Sequence, residues 1–337
     1  MALNTVRPDS ILEIGNAFKA ARALLSAIEL GVFTVVAERP LDGEVLRQKL
    51  GLAARGARDF FDALVALRLL NRDEMGRYVN STEAALYLDR KQPTYIGGEL
   101  EFVSARQFGP WGNLTQALRT GEPQSGDRGT ADYSAYYSDP KILTNVLRGM
   151  TGGTVLAARA LAQNFPWSQY RTIMDIGTAE GCLPVHLALA HPHLVGGGFD
   201  LPPVKPYFDT YVHEHRVSDR IAFTSGDFFQ DSLPAADVIV MGRVLHNWDL
   251  ATKTMLLAKA HAAIHRGGAL IVYERLIDDA RRVNASGLLA SLNMLVMTAG
   301  GFDFSGADCS TWMREAGFRN LRVEPLTSEI SMIVGLK

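Results

Sequence analysis

Two aspartates and a glycine turn carry the first chemical signal in this chain. Asp200 ends the apolar run Leu194 to Phe199. A carboxylate at a strand tip can accept from both hydroxyls of a ribose. An earlier run, Ile173 to Ile176, is interrupted only by Asp175 and ends in Gly177, Thr178, Ala179 and Gly181. Glycine at such a turn lets the backbone approach a ligand that a Cβ would hold away. Further on, Asp227 can accept from an exocyclic adenine amine, and Phe228 can lie on the ring face. Together these residues describe an adenosine site. Phosphates are not provided for. Gly177 and Gly181 are not spaced as G-x-G-x-x-G, and no G-x-x-x-x-G-K-[ST] occurs.

These residues need strands to carry them. From residue 171 the pattern alternates strand and helix, with strands expected at Thr172–Gly177, Val195–Asp200, Ile221–Ser225, Ala236–Met241 and Ala269–Glu274. Such alternation predicts a parallel sheet covered on both faces. Asn320–Leu326 and Ile330–Leu336 are joined by a short turn, so the sheet should finish with a reversed strand. Ligands bind such sheets at the carboxyl ends of the strands. Those ends are Gly177, Asp200, Gly226 with Asp227 and Phe228, the stretch Arg243 to Trp248, and Glu274.

The front of the chain reads differently. Residues 10 to 36 have a helical apolar period through Ile11, Ile14, Phe18, Ala21, Leu25 and Ile28, and the opposite face is also apolar, which hints at a dimer. Helices from Glu44 to Leu50 and from Ala54 to Leu69 precede a hairpin around Asp73 to Gly76, a winged-helix order. DNA reading would need a basic footprint. Residues 1 to 100 hold 13 Lys plus Arg and 13 Asp plus Glu, a local net charge of zero. Residues 95 to 165 are expected to be mostly helical, with a loop from Thr120 to Ser138 that carries Tyr133, Tyr136 and Tyr137. The expected division is 1–100, 101–165 as a helical connector over the active site, and 166–337.

The whole chain has 337 residues, 47% hydrophobic and 21% charged, with a net charge of −2. That balance gives no pull toward nucleic acid or an anionic membrane. Cys182 and Cys309 make neither a disulfide framework nor a four-ligand zinc site. Reduced thiols, no visible signal peptide and no long apolar run lead to a cytoplasmic expectation.

The set Asp175-x-Gly177-x-x-x-Gly181, Phe199-Asp200-Leu201-Pro202, Gly226-Asp227-Phe228-Phe229, Arg243-Val-Leu-His246-Asn-Trp248-Asp249, Gly267-Gly268 and Ile271-Val-Tyr-Glu274 resembles a known family. It is that of the S-adenosylmethionine-dependent O-methyltransferases of the caffeate, hydroxyindole and polyketide-tailoring type. The likeness covers nearly the whole chain. It implies a Rossmann-like α/β methyltransferase domain, with a mostly parallel sheet and an antiparallel last strand. An all-α winged-helix dimerisation domain would precede it, in a homodimer serving secondary metabolism. The glycine turn departs from the family pattern, with Thr178 and Ala179 where glycines usually stand. By resemblance, Gly177 would contact the methionine part of the cofactor and Asp200 the ribose. Gly226, Asp227 and Phe228 would hold the adenine, and Arg243 would contact the cofactor. His246 would be the general base, flanked and oriented by Glu274 and by Asp303 of Gly300-Gly301-Phe302-Asp303. The product would be S-adenosylhomocysteine, the acceptor a hydroxyl on an aromatic or heteroaromatic small molecule.

A C-methyltransferase acting on a 2-oxo acid is the alternative, with His246 removing a carbon-bound proton. An iron site there would want an acid beside His246 and a further histidine. Asn247 and Met297 stand at those positions, so no metal is expected. A winged-helix regulator that senses a ligand is the third reading, disfavoured by the neutral front.

Overall fold

The computed structural model describes residues 7–125 and 137–337. Tyr133 and Tyr136 lie outside the described residues. The chain divides into two compact units, Met1–Ser104 and Ala105–Lys337.

The first unit is helical with one small hairpin. The helix expected over residues 10–36 is in fact two, Asp9–Glu29 and Val32–Glu38. Gly31 between them has φ +72°, a left-handed conformation that costs glycine little and ends the first helix. Helices Gly43–Lys49 and Ala54–Ala66 follow. The latter becomes regular only after Arg55 and Gly56, whose backbone is not helical. Strands β1 (Leu70–Arg72) and β2 (Tyr78–Asn80) then pair antiparallel. Ile28, Phe33, Leu46, Phe61, Leu64, Leu70 and Tyr78 form the core of this unit. Most of the first helix contributes nothing to it, and Ile11, Ile14 and Phe18 stay 57–77% exposed. Among the described residues no single helix is long and apolar enough to cross a membrane. The two leading helices pass that test only as a pair bent by 57°.

The second unit is built on a seven-stranded sheet. Its strands are β3 (Thr172–Ile176), β4 (Val195–Asp200), β5 (Ile221–Ser225), β6 (Ala236–Gly242), β7 (Ile264–Glu274), β8 (Arg319–Pro325) and β9 (Ser331–Leu336). Their order is β5-β4-β3-β6-β7-β9-β8, parallel from β5 to β7. The reversed strand is β9, the last in sequence, which lies inside the edge between β7 and β8. β7 begins at Ile264, earlier than the expected Ala269, so His265 is on a strand, where its Nδ1 bonds Asp237 at 3.0 Å.

Helix Cys182–Ala190 is apolar on nearly every side because it is packed between the sheet and helix Pro140–Asn164. Asp139 starts the latter helix by accepting from the Lys141 N–H at 2.8 Å. Cys182 and Cys309 are buried free thiols, and burial pushes the Cys182 thiol up to about 12, away from reactivity. The strand order reverses between β3 and β6. Loops leaving those two neighbours part in opposite directions and open a crevice at their carboxyl ends.

Candidate active site

One wall of the crevice is the turn after β3. Gly177 has φ +71°, and a Cβ there would stand 3.0 Å from the Val244 methyl across the gap. Ala179 takes the left-handed region too, at φ +51°. For a residue with a Cβ this costs roughly 1–2 kcal/mol. The N–H it turns inward donates to Asp200 Oδ2 at 2.9 Å, and the Leu201 N–H donates to Oδ1 at 2.8 Å. Two backbone donors therefore fix the Asp200 carboxylate at the tip of β4. Burial still pushes this group up to about 6, against the two N–H groups and Tyr137. Asp175, deeper in β3, is pushed up to about 7 by burial. A Thr178 hydrogen bond opposes the shift and Asp200 adds to it.

Beyond β5, the Asp227 N–H donates to Asp231 and Asp227 Oδ1 accepts from Phe229. Phe228 packs edge-on to Trp248 at 5.8 Å. Lys259 holds this loop from below, donating to the carbonyls of Phe228 at 2.7 Å and Asp231 at 2.9 Å. Nothing in the sequence pattern sets that lysine apart from a solvated helix position.

The other wall follows β6. Arg243 has φ +56°, a strained conformation at the strand end. A short 3-10 turn, Leu245–Asn247, then presents His246. The neighbours in this motif hold the turn. Asn247 donates to the Arg243 carbonyl at 3.1 Å, Trp248 is buried against Phe228 and Phe229, and Asp249 caps the next helix through the Thr252 N–H at 2.8 Å.

Three groups from distant parts of the chain meet at this turn. His246 Nδ1 lies 3.5 Å from Glu274 Oε2 and 3.4 Å from Asp303 Oδ1, and both carboxylates are buried. Glu274 arrives at the end of β7. Asp303 is placed by the loop after helix Ala285–Met297, where its own N–H donates to Ser291 Oγ at 3.2 Å. Burial disfavours a charged imidazole, but Glu274 and then Asp303 outweigh it and hold His246 above its ordinary value. Burial raises Glu274, with His246 opposing and Asp303 adding. Both acids face Nδ1, which favours the tautomer protonated there and leaves Nε2 as the basic nitrogen. Ligand atoms of the three lie within 4.8 Å of one another, a spacing that a cation could also use.

A narrow cavity of about 50 Å³ runs between helix Pro140–Asn164 and the strand ends, touching Thr151, Asp175, Gly177, Ala179, Arg243 and Tyr273. Gly242 is required beside it, because a Cβ there would fall 1.9 Å from the Tyr273 ring. A larger hollow lies at the amino ends of the strands, near Arg171, His193, Asp237 and Arg266. It is at the wrong end of the sheet for this chemistry.

Residues 111–319 match the model of an O-methyltransferase domain, and residues 12–90 match an O-methyltransferase dimerisation domain. The chain belongs to the O-methyltransferase family. It is 40% identical to the tetracenomycin polyketide synthesis 8-O-methyl transferase TcmO of Streptomyces glaucescens, over 98% of this chain and 97% of that one. It is 36% identical to the N,N-dimethyltransferase OxyT of Streptomyces rimosus, over 97% and 96%. Its fold superimposes on human N-acetylserotonin methyltransferase in complex with S-adenosylmethionine with a TM-score of 0.91, at 26% identity, covering 100% and 99% of the two chains. The enzyme is an S-adenosylmethionine-dependent methyltransferase.

The residues present fit that cofactor. Asp200 is fixed at a strand tip with lone pairs to spare, and Gly177 leaves open the space that a Cβ would take. Gly177, Asp200, Gly226, Asp227, Phe228 and Arg243 all stand at carboxyl ends of adjacent strands, as the alternating pattern implied. His246, Glu274 and Asp303 converge at one point. Sequence reasoning missed Thr151, Tyr273 and Lys259. Thr151 donates to Glu180 at 2.6 Å, tying the long helix to the glycine turn. A helix-borne threonine gives no local sign of such a contact.

Proposed function

We propose that the enzyme methylates a hydroxyl of an aromatic or heteroaromatic small molecule, with His246 as the general base. The observation that carries this reading is the pair of buried carboxylates on His246 Nδ1. A base held in this way presents a fixed basic Nε2 to an acceptor O–H. When bound, S-adenosylmethionine supplies a sulfonium methyl carbon that an oxygen can attack, with a neutral thioether as leaving group. The chain then has three tasks. Asp200, Gly226, Asp227 and Phe228 grip the adenosine end, while Gly177 and Arg243 hold the methionine end. The pocket aligns the acceptor oxygen with the methyl, and such alignment is worth about 7–11 kcal/mol. His246 takes the hydroxyl proton as the new C–O bond forms. A phenol of pKa about 10 is otherwise a weak nucleophile at neutral pH.

An apolar wall supports a flat acceptor. Trp111 is held by Asn293, to which its Nε1 donates at 2.8 Å, and it packs with Leu114, Ala117, Val296 and Met297. The relatives named for polyketide and hydroxyindole methylation point to the same acceptor class. The test is incubation with methyl-labelled cofactor and a panel of hydroxylated polycyclic aromatics. A labelled methoxy group is expected. Label found only on carbon or on an amine nitrogen would replace this reading with C- or N-methylation.

The exposed row Ile11, Ile14 and Phe18, within the segment matching a dimerisation domain, supports a homodimer joined through that helix. Light scattering should return twice the chain mass of 36.8 kDa, and a single-chain mass would remove the dimer. We place the enzyme in the cytoplasm and give it no nucleic-acid or membrane partner. Residues 101–165, of which 126–136 lie outside the described residues, serve in this reading as the cover over the acceptor.

A further inference from the structure

Lys253 is a fully buried charge that nothing above uses. It lies in the first turn of helix Leu250–Ala263, where the helix dipole disfavours a cation, and burial disfavours it again. Something must compensate an ammonium held there. Its Nζ donates to the Trp248 carbonyl, at the end of the turn that presents His246. It also lies 3.3 Å from the centroid of the Phe302 ring and 5.6 Å from that of Phe304, the two residues that flank Asp303 in the chain. One side chain thus bridges the segment carrying the imidazole and the segment carrying one of its acids.

The charged and titratable groups facing Lys253 are Glu274 from β7, Asp303 from the loop before helix Gly306–Glu315, Cys309 from that helix, and Asp249 at the cap of its own helix. Those facing His246 are Glu274, Asp303 and Arg243. We propose that the Lys253 ammonium is the fixed counter-charge of the His246, Glu274 and Asp303 cluster. It keeps both carboxylates ionised, so that the imidazole and not a carboxyl receives the acceptor's proton. This rests on His246 being the base.

Charge counting gives the reason. Two carboxylates, the Lys253 ammonium, the Arg243 guanidinium and a neutral imidazole sum to zero at rest. Without Lys253 the resting sum is −1 in a buried site. A carboxyl would then take a proton from solvent near neutral pH and no longer stabilise the imidazolium. Burial itself pushes Lys253 down to about 8, while Glu274 and then Asp303 support its charge, so the ammonium persists at neutral pH. Lys253 acts through His246 and is a positioning residue.

The test is the pH profile of kcat for Lys253→Met in the full-length enzyme, with S-adenosylhomocysteine binding measured by calorimetry as the check on folding. The acid limb of kcat should move upward by about one pH unit or more, since the cluster loses a neighbouring positive charge. Turnover near pH 7 should fall at least about tenfold and recover as the pH is raised. Lys253→Arg, which keeps the charge, should leave the limb near its wild-type position. If Lys253→Met does not bind the cofactor product, Lys253→Gln keeps a donor for the Trp248 carbonyl and takes its place. An acid limb that stays put while kcat falls equally at every pH overturns the proposal and makes Lys253 a packing residue. Loss of the general base reading appears separately, as full turnover in His246→Gln.

Discussion

Replacing His246 with glutamine lowers kcat by about 10²- to 10⁴-fold, the usual contribution of a positioned general base. Affinity for S-adenosylhomocysteine should stay near wild type, because the residues proposed to hold the cofactor, Arg243 apart, follow β3, β4 and β5, away from the imidazole. The surrounding geometry gives the pH dependence. Glu274 and Asp303 hold the ring above its ordinary value, so the base is free only at higher pH. Turnover of the wild type therefore rises with pH along a limb lying above the ordinary imidazole value of about 6.5. In His246→Gln that limb disappears. Single-turnover rates with saturating cofactor measure the chemical step directly. Full turnover in the variant would take His246 out of the reaction while leaving the cofactor site intact.

Asp200→Asn weakens binding of S-adenosylmethionine by about 10- to 100-fold. A hydrogen bond to a charged group contributes roughly 1.5–3 kcal/mol, and asparagine keeps the shape while losing the charge and one acceptor. The change also touches the turn, since Asp200 Oδ2 accepts the Ala179 N–H and Oδ1 the Leu201 N–H. An amide cannot accept from both sides, so the left-handed Ala179 loses its compensation. kcat at saturating cofactor should change far less than KM for it. The wild type offers a companion measurement without mutation. Asp200 is pushed up to about 6, so its carboxylate gains a proton as the pH falls through that value. Cofactor affinity should then fall below about pH 6, and calorimetry across pH 5 to 8 would show it. An affinity unchanged in Asp200→Asn would move the ribose elsewhere in the crevice.

Relation of sequence to structure differs from one part of the site to another. The turn Gly177 to Gly181, the acid ending β4 and the Asp227-Phe228 pair were legible because each is set by a strand that stops and a loop that begins. Apolar runs and glycines mark those events within a few residues. The break at Gly31 was not legible, because the apolar period continues across it. Only the left-handed backbone reveals the end of the first helix. The start of β7 was not legible either, because polar residues and two glycines precede its apolar run. His265 and Arg266 look solvated in sequence, yet they extend the strand at its exposed start.

The sequence alone determined which polar, aromatic and glycine residues stand at the strand tips, because residue type and local spacing fix which groups end each strand. It also brought forward His246 through a motif whose other members turn out to cap and clamp its turn. Only the tertiary structure decided that Glu274 and Asp303 approach one ring nitrogen, and that the buried Lys253 ammonium lies over the ring of Phe302, the residue before Asp303. Those contacts depend on β3, β6 and β7 lying side by side and on a distant loop folding over their ends. Strand order and loop return are set by the packing of the whole unit, and no local pattern encodes them.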